Sequence, residues 1–170
     1  MRIQTLRKEN LQQILELQQL VVANLVDTEL FYQDTPDYIE DLLVTKGVIL
    51  GAFDDNNLVG YRGIKFCLNA KENLGKEIDI VESELDLVAH FDALVVHPNY
   101  RRQGIAHRLN IEALDLIKQR NKKHLFVKVS PKNTASLAML AKLGMEIKKK
   151  IYPYEKNWER YLLYKNLEIP

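Results

Sequence analysis

Disulfide chemistry is the first thing the sequence excludes, because the chain carries a single cysteine, Cys67. With no histidine near it, Cys67 reads as a small core residue of a strand rather than a nucleophile. An excess of one charge is also missing. The 24 basic residues meet 23 acidic ones, which leaves no broad electrostatic footprint for nucleic acid or a lipid surface. No apolar run is long enough to span a bilayer, and the amino terminus has no basic segment leading into an apolar one. The expected setting is therefore the reducing cytoplasm, with neither nucleic acid nor membrane as partner. Repeats and linkers are absent as well. What is present is 46% hydrophobic residues in a chain of 170, enough for one proper core and too short for two, so residues 1–170 read as one domain.

The stretch from Phe91 to Gly104 organises the rest. Its first part, to Val96, is short, apolar and β-branched at its end, as a buried strand requires. His97-Pro98-Asn99 breaks the strand, since proline removes a ladder donor and holds its predecessor extended. Arg101 and Arg102 then stand just ahead of Gly104 and Ala106, where a helix would present its first unpaired N–H groups. Small residues let an anion approach those donors and the arginines add charge, which describes a cradle for a phosphate and best of all for a diphosphate.

Taken in order, residues 1–7 predict a first strand and Asn10 to Leu25 an amphipathic helix, with Leu11, Ile14, Leu15, Leu17, Leu20, Val21 and Val22 at helical spacing. Thr35-Pro36 predicts a capped second helix reaching Lys46. Val48 to Phe53 and Leu58 to Leu68 pair as a hairpin across Asp54-Asp55-Asn56-Asn57. Residues 69–88 do not decide between strand and helix. Beyond the central strand come a helix from Gln103 to Arg120, a strand His124 to Val129, a helix Asn133 to Leu143 stopped by Gly144, and strands Met145 to Ile151 and Arg160 to Leu167. The lysine run Lys148 to Lys150 reads as a solvated edge. Residues 71–87 hold Glu72, Glu77, Asp79, Glu82, Glu84 and Asp86 against two lysines. That segment is either solvated or a source of long-range attraction for a cationic ligand.

This order of elements resembles the GCN5-related N-acetyltransferase (GNAT) superfamily over essentially the whole chain. The residues that carry the resemblance are Val96-His97-Pro98-Asn99-Tyr100, then Arg101-Arg102-Gln103-Gly104-Ile105-Ala106, and downstream Asn133-Thr134-Ala135-Ser136 with Lys142-Leu143-Gly144. The resemblance implies an α/β (α+β) fold: a mixed, mostly antiparallel sheet of about seven strands with splayed central strands, flanked by about four helices. It also implies a single N-acetyltransferase domain that uses acetyl-CoA as cosubstrate and no metal. The diphosphate would lie on Arg101, Arg102, Gln103, Gly104, Ile105 and Ala106, the pantetheine along Leu94, Val95 and Val96, and Asn133 and Ser136 beside it. The partner would be a small-molecule or peptide amine acceptor, and a homodimer is left open as the assembly. Two positions depart from the pattern: Leu140 stands where many relatives carry the tyrosine that protonates the leaving thiolate, and Met145 replaces a common phenylalanine.

An amine with an ordinary pKa of about 10.4 must lose a proton before it can attack a thioester. His90 falls where histone-acetylating relatives carry a glutamate base, and Asp92 shares its face of a regular strand. His90 has the better intrinsic pKa for a base, while Asp92 could orient it or bind the ammonium. Tyr152 and Tyr154 are the candidates for the missing acid, with water the simpler source of that proton. With Phe31 and Tyr32, both tyrosines are expected to shape the acceptor pocket. Because Leu140 removes the usual acid, a non-catalytic acetyl-CoA-binding or sensing module is the alternative to an enzyme.

Overall fold

The structure is a computed structural model that describes residues 1–66, 71–154 and 157–168, so Cys67 lies outside the described residues. Among the described residues, seven strands form one sheet in the order β1-β2-β3-β4-β5-β7-β6. They are β1 Arg2–Thr5, β2 Gly47–Asp54, β3 Asn57–Phe66, β4 Val88–Val96, β5 His124–Val129, β6 Glu146–Ile151 and β7 Arg160–Asn166. The helices are α1 Leu11–Ala23, α2 Pro36–Asp41, α3 Ile105–Gln119 and α4 Thr134–Lys142. The mixed sheet with flanking helices is the expected fold.

Local chemistry explains the boundaries. Thr35 caps α2 by accepting the Tyr38 N–H, with proline in its first turn. That helix ends sooner than predicted: after Asp41 the chain widens into a π-helical turn, Leu42–Lys46, before Gly47 begins β2. The undecided stretch contains two short 3₁₀ segments, Leu74–Ile78 and Glu82–Leu87. Three of its six acids are paired where they stand, Glu72 to Lys65, Glu77 to Lys149, and Glu84 to Lys123 and His124. Lys148, Lys149 and Lys150 lie exposed on β6 at the sheet edge, each facing a glutamate.

The sheet buries both faces. α3 lays Ile105, Leu109, Ala113 and Ile117 on one side, against Val48, Leu50, Val59 and Ile64. On the other, Ile14, Leu17 and Val21 of α1 meet Ile49, Phe53, Leu58 and Tyr61.

Two features between β3, β4 and β5 open this slab. β4 and β5 are parallel and pair only from Val88 with His124 to Phe91 with Val127, after which they part. Just there β4 carries a bulge, for Arg62 pairs with Leu94 and Ile64 with Phe91, so that Gly63 faces both Asp92 and Ala93. A Cβ on Gly63 would stand 3.1 Å from the Asp92 Cβ, so the bulge fits best against a residue with no side chain. The bulge is held by Arg62, which is only 2% exposed. Its guanidinium donates to the Asp92 carbonyl at 2.7 Å and to Asn110 Oδ1 at 2.6 and 2.9 Å, and lies 4.3 Å from the Phe91 ring. Burial lowers its pKa to about 9, against the pull of Asp92.

Replacing Arg62 by methionine keeps most of the volume but strips these acceptors of their donors, at about 1–3 kcal/mol for each one left unpaired. Removing a buried charge offsets part of that. We expect a net loss of about 2 kcal/mol in urea unfolding; a variant as stable as the parent would show that the bulge does not depend on Arg62.

Candidate active site

Where β4 and β5 part, a cavity of about 510 Å³ opens across the sheet. One wall comes from α4 and the turn before it, with Ser130, Asn133, Ser136 and Leu140. The opposite wall comes from the connection between α1 and α2, with Phe31, Tyr32 and Asp34, and from Tyr38 of α2. Asp92 on β4 and Lys128 on β5 face each other across the opening, and Tyr154 and Arg160 close one side.

Asp34 is fixed through its backbone. Its N–H donates to Gln18 Oε1 at 3.4 Å, its carbonyl accepts from Gln18 Nε2 at 2.9 Å, and Gln18 is itself held by the Tyr61 hydroxyl at 3.2 Å. Gln18 is 1% exposed, in the middle of the apolar stripe of α1. Burial first, and then the charge of Asp92, push the Asp34 carboxyl up to about 8, while Lys128 pulls the other way. Asp92 accepts a hydrogen bond from the Tyr38 hydroxyl at 2.5 Å. Burial lowers the pKa of Lys128, opposed by Asp92. The Lys128 ammonium lies 4.9 Å from the ring of Tyr154, which stacks on Tyr32 at 4.0 Å with 6° between the planes. The buried Arg160 reaches the same ring at 5.2 Å and donates to the carbonyls of Glu29 and Glu159.

The sequence candidates divide accordingly. Asp92, Tyr154, Asn133 and Ser136 come together in the cavity wall. Asn133 also caps α4, its Oδ1 accepting the Ser136 N–H at 3.1 Å. His90 is not in that wall: it is 7% exposed, and its Nε2 accepts the Leu74 N–H at 3.1 Å. Burial, aided by Lys65 and Lys128, lowers its pKa to about 3, so the imidazole stays neutral and its Nε2 lone pair is engaged. The geometry thus turns the first-choice base into a structural acceptor. Tyr152 is also elsewhere, 60% exposed and donating to Glu159. Burial raises the Tyr154 phenol, which is packed among Tyr32, Lys128 and Arg160. Leu140, 1% exposed, presents no hydroxyl.

The neutral state of His90 carries a stability cost in acid. A folded-state pKa near 3 against an ordinary 6.5 means its contribution is whole above pH 6.5 and is lost as pH falls towards 3. His90→Gln should therefore flatten the acid limb of a melting-temperature profile in that window; a variant with the parent's slope would contradict the assignment.

Outside the cavity, past the end of β4, Arg101, Arg102, Gln103 and Gly104 are exposed. Gly104 has φ 77° and a Cβ placed on it would meet nothing within 4 Å. The α3 ladder starts with the Arg108 N–H to the Gly104 carbonyl, which leaves the N–H groups of Ile105, Ala106 and His107 at the helix end. Leu94, Val95 and Val96 pair with β3 on one side, and beyond Phe91 they have no partner on the β5 side among the described residues.

Asp34, Tyr38 and Lys128 escaped the sequence reading. Asp34 sits in Gln33-Asp34-Thr35-Pro36, directly before the cap of α2. The signal that could have exposed it is Gln18, a polar residue within an apolar helical stripe, which must find buried partners. Lys128 breaks an otherwise apolar strand in the same way.

The sequence matches the acetyltransferase (GNAT) family over residues 11–145. The chain belongs to that family and is an N-acetyltransferase. Its fold is similar to the ribosomal-protein-S18-alanine N-acetyltransferase of Escherichia coli, with TM-score 0.73 and 15% identity over 98% of this chain and 93% of that one. It is also similar to yncA from Salmonella typhimurium with its cofactor acetyl-CoA, with TM-score 0.72 and 15% identity over 98% and 94%. A third likeness is to the paiA N-acetyltransferase of Thermoplasma acidophilum in complex with coenzyme A, with TM-score 0.69 and 16% identity over 98% and 99%. No curated protein sequence matches the chain. Among the described residues, no helix is long and apolar enough to cross a membrane.

Proposed function

We propose that the protein moves an acetyl group from acetyl-CoA to a primary amine while both are bound, with the Asp34–Asp92 pair receiving the proton of the amine. The observation that carries this reading is the cavity, which runs from Asn133 and Ser136 across the parted strands to two carboxylates. Donor and acceptor can therefore meet from opposite sides of one opening.

The chain's residues fit acetyl-CoA. Open space before Gly104, the N–H groups of Ile105 and Ala106, and the exposed Arg101, Arg102 and Gln103 suit a diphosphate. The unpaired edge of β4 at Leu94, Val95 and Val96 suits the amides of pantetheine as an added strand, with Asn133 and Ser136 alongside. When bound, acetyl-CoA supplies an activated acetyl thioester.

On the acceptor side, a base is most effective when its pKa lies near the working pH. The Asp34 carboxyl, near 8, meets that condition, and its backbone bonds to Gln18 hold it in place. Asp92 lines the same opening, and the Tyr38 hydroxyl donates to its carboxylate. His90 is left to anchor Leu74. Leu140 has no proton to offer and Tyr154 is packed as a wall, so water supplies the proton to a thiolate whose pKa is about 8.5.

Direct transfer demands that initial rates, with both substrates varied, give intersecting reciprocal lines. Parallel lines would indicate an acetylated enzyme and contradict the reading.

A further inference from the structure

We propose, resting on the acetyltransfer reading, that the cavity selects a primary amine with one positive charge, seated between Asp34 and Asp92, whose far end is uncharged or anionic, and that Lys128 enforces the selection. The argument is a balance of charges around one opening. Four basic side chains, Arg62, Lys65, Lys128 and Arg160, and three acidic ones, Asp34, Glu72 and Asp92, line it. Most are already matched. Lys65 is bound to Glu72 at 3.0 Å. Arg160 spends its donors on two backbone carbonyls, and Arg62 on the Asp92 carbonyl and Asn110. The carboxyl groups that remain are Asp34 and Asp92, and the basic side chain that remains is Lys128.

With Asp34 ionised by the arriving ammonium, two carboxylates beside Lys128 leave place for a single added cation. The incoming cation favours the ionised form of Asp34, which prepares that carboxylate to receive the amine proton. A second ammonium on the same molecule has no such partner. Glu72 is engaged by Lys65, and the remaining charge along that wall is positive, from Lys128 and Arg160. Like charges at such distances in a partly desolvated cavity repel strongly. The stacked Tyr32 and Tyr154 offer an apolar body for the middle of the acceptor, and a carboxylate at its far end would meet Lys128 or Arg160 favourably.

Three probes of equal length isolate the far end: pentylamine, 1,5-diaminopentane and 5-aminopentanoate, each with acetyl-CoA. Calorimetry with acetyl-CoA comes before any amine; absent binding would remove the acetyltransfer reading and this inference with it. With binding established, kcat/KM for the diamine should fall about tenfold or more below that for pentylamine, and 5-aminopentanoate should be at least as good as pentylamine. In Lys128→Met the diamine should come within about threefold of pentylamine, a change in ratio that general damage to the fold does not produce. A preference for the diamine, an unchanged ratio in Lys128→Met, or no turnover of any probe by acetyl-CoA-bound enzyme would each overturn the proposal.

Discussion

Asp34→Asn should lower kcat/KM for a primary amine by about 100-fold or more, the range expected when a positioned base is removed. It should also abolish the rise of the parent rate through pH 8. That rise follows from a carboxyl pushed up to about 8 by burial and by Asp92. The groups that face it are Asp92 on β4, Lys128 on β5, and the phenols of Tyr61 and Tyr154. A bound ammonium moves the inflection downwards, so the pH dependence should sit lower at saturating amine than in kcat/KM.

Stability should change in the opposite sense. A folded-state pKa near 8 against an ordinary 3.8 means the folded protein holds that proton more tightly than the unfolded chain. The contribution to stability is whole below pH 3.8 and is lost as pH rises through 8. Asparagine cannot ionise, so Asp34→Asn should melt higher than the parent at pH 9, with the difference shrinking towards pH 4. A variant less active and yet more stable at alkaline pH separates a catalytic loss from a folding defect. Parent-like activity with a parent-like pH profile would rule Asp34 out as the base.

Gly104→Val should weaken acetyl-CoA binding by about 100-fold, equivalent to losing one or two charge-assisted hydrogen bonds. The protein itself has room for a side chain at this position, since a Cβ would meet nothing within 4 Å. The cost to folding is confined to φ 77°, about 1–2 kcal/mol for a residue with a Cβ. The loss of binding therefore measures crowding at the phosphate cradle, with only a small fall in melting temperature expected in the absence of ligand. Equal affinity in parent and variant would move the diphosphate away from this turn.

The fold was largely legible because its signals are local. Helical spacing of apolar residues marks α1 and α3, the Thr35-Pro36 cap marks α2, and Gly144 follows α4. The site was less so, because it depends on departures from regularity. A regular strand puts His90 and Asp92 on one face, but the bulge at Asp92 and Ala93 and the parting of β5 expose Asp92 to the cavity and leave His90 with Leu74. Asp34 is brought to the same opening by Gln18, an interaction across 16 positions that periodicity does not encode. The acidic run at residues 71–87 illustrates the converse, since sequence shows the charge but not the lysines that meet Glu72, Glu77 and Glu84.

The central claim is that this opening transfers acetyl groups to amines. The direct measurement is release of free CoA from acetyl-CoA as amine is added, at a pH near 8 and with multiple turnovers followed. Steady, amine-dependent release that collapses in Asp34→Asn is the predicted result. Acetyl-CoA that binds tightly while no amine elicits release would contradict it and would leave a protein that binds the cofactor without using it.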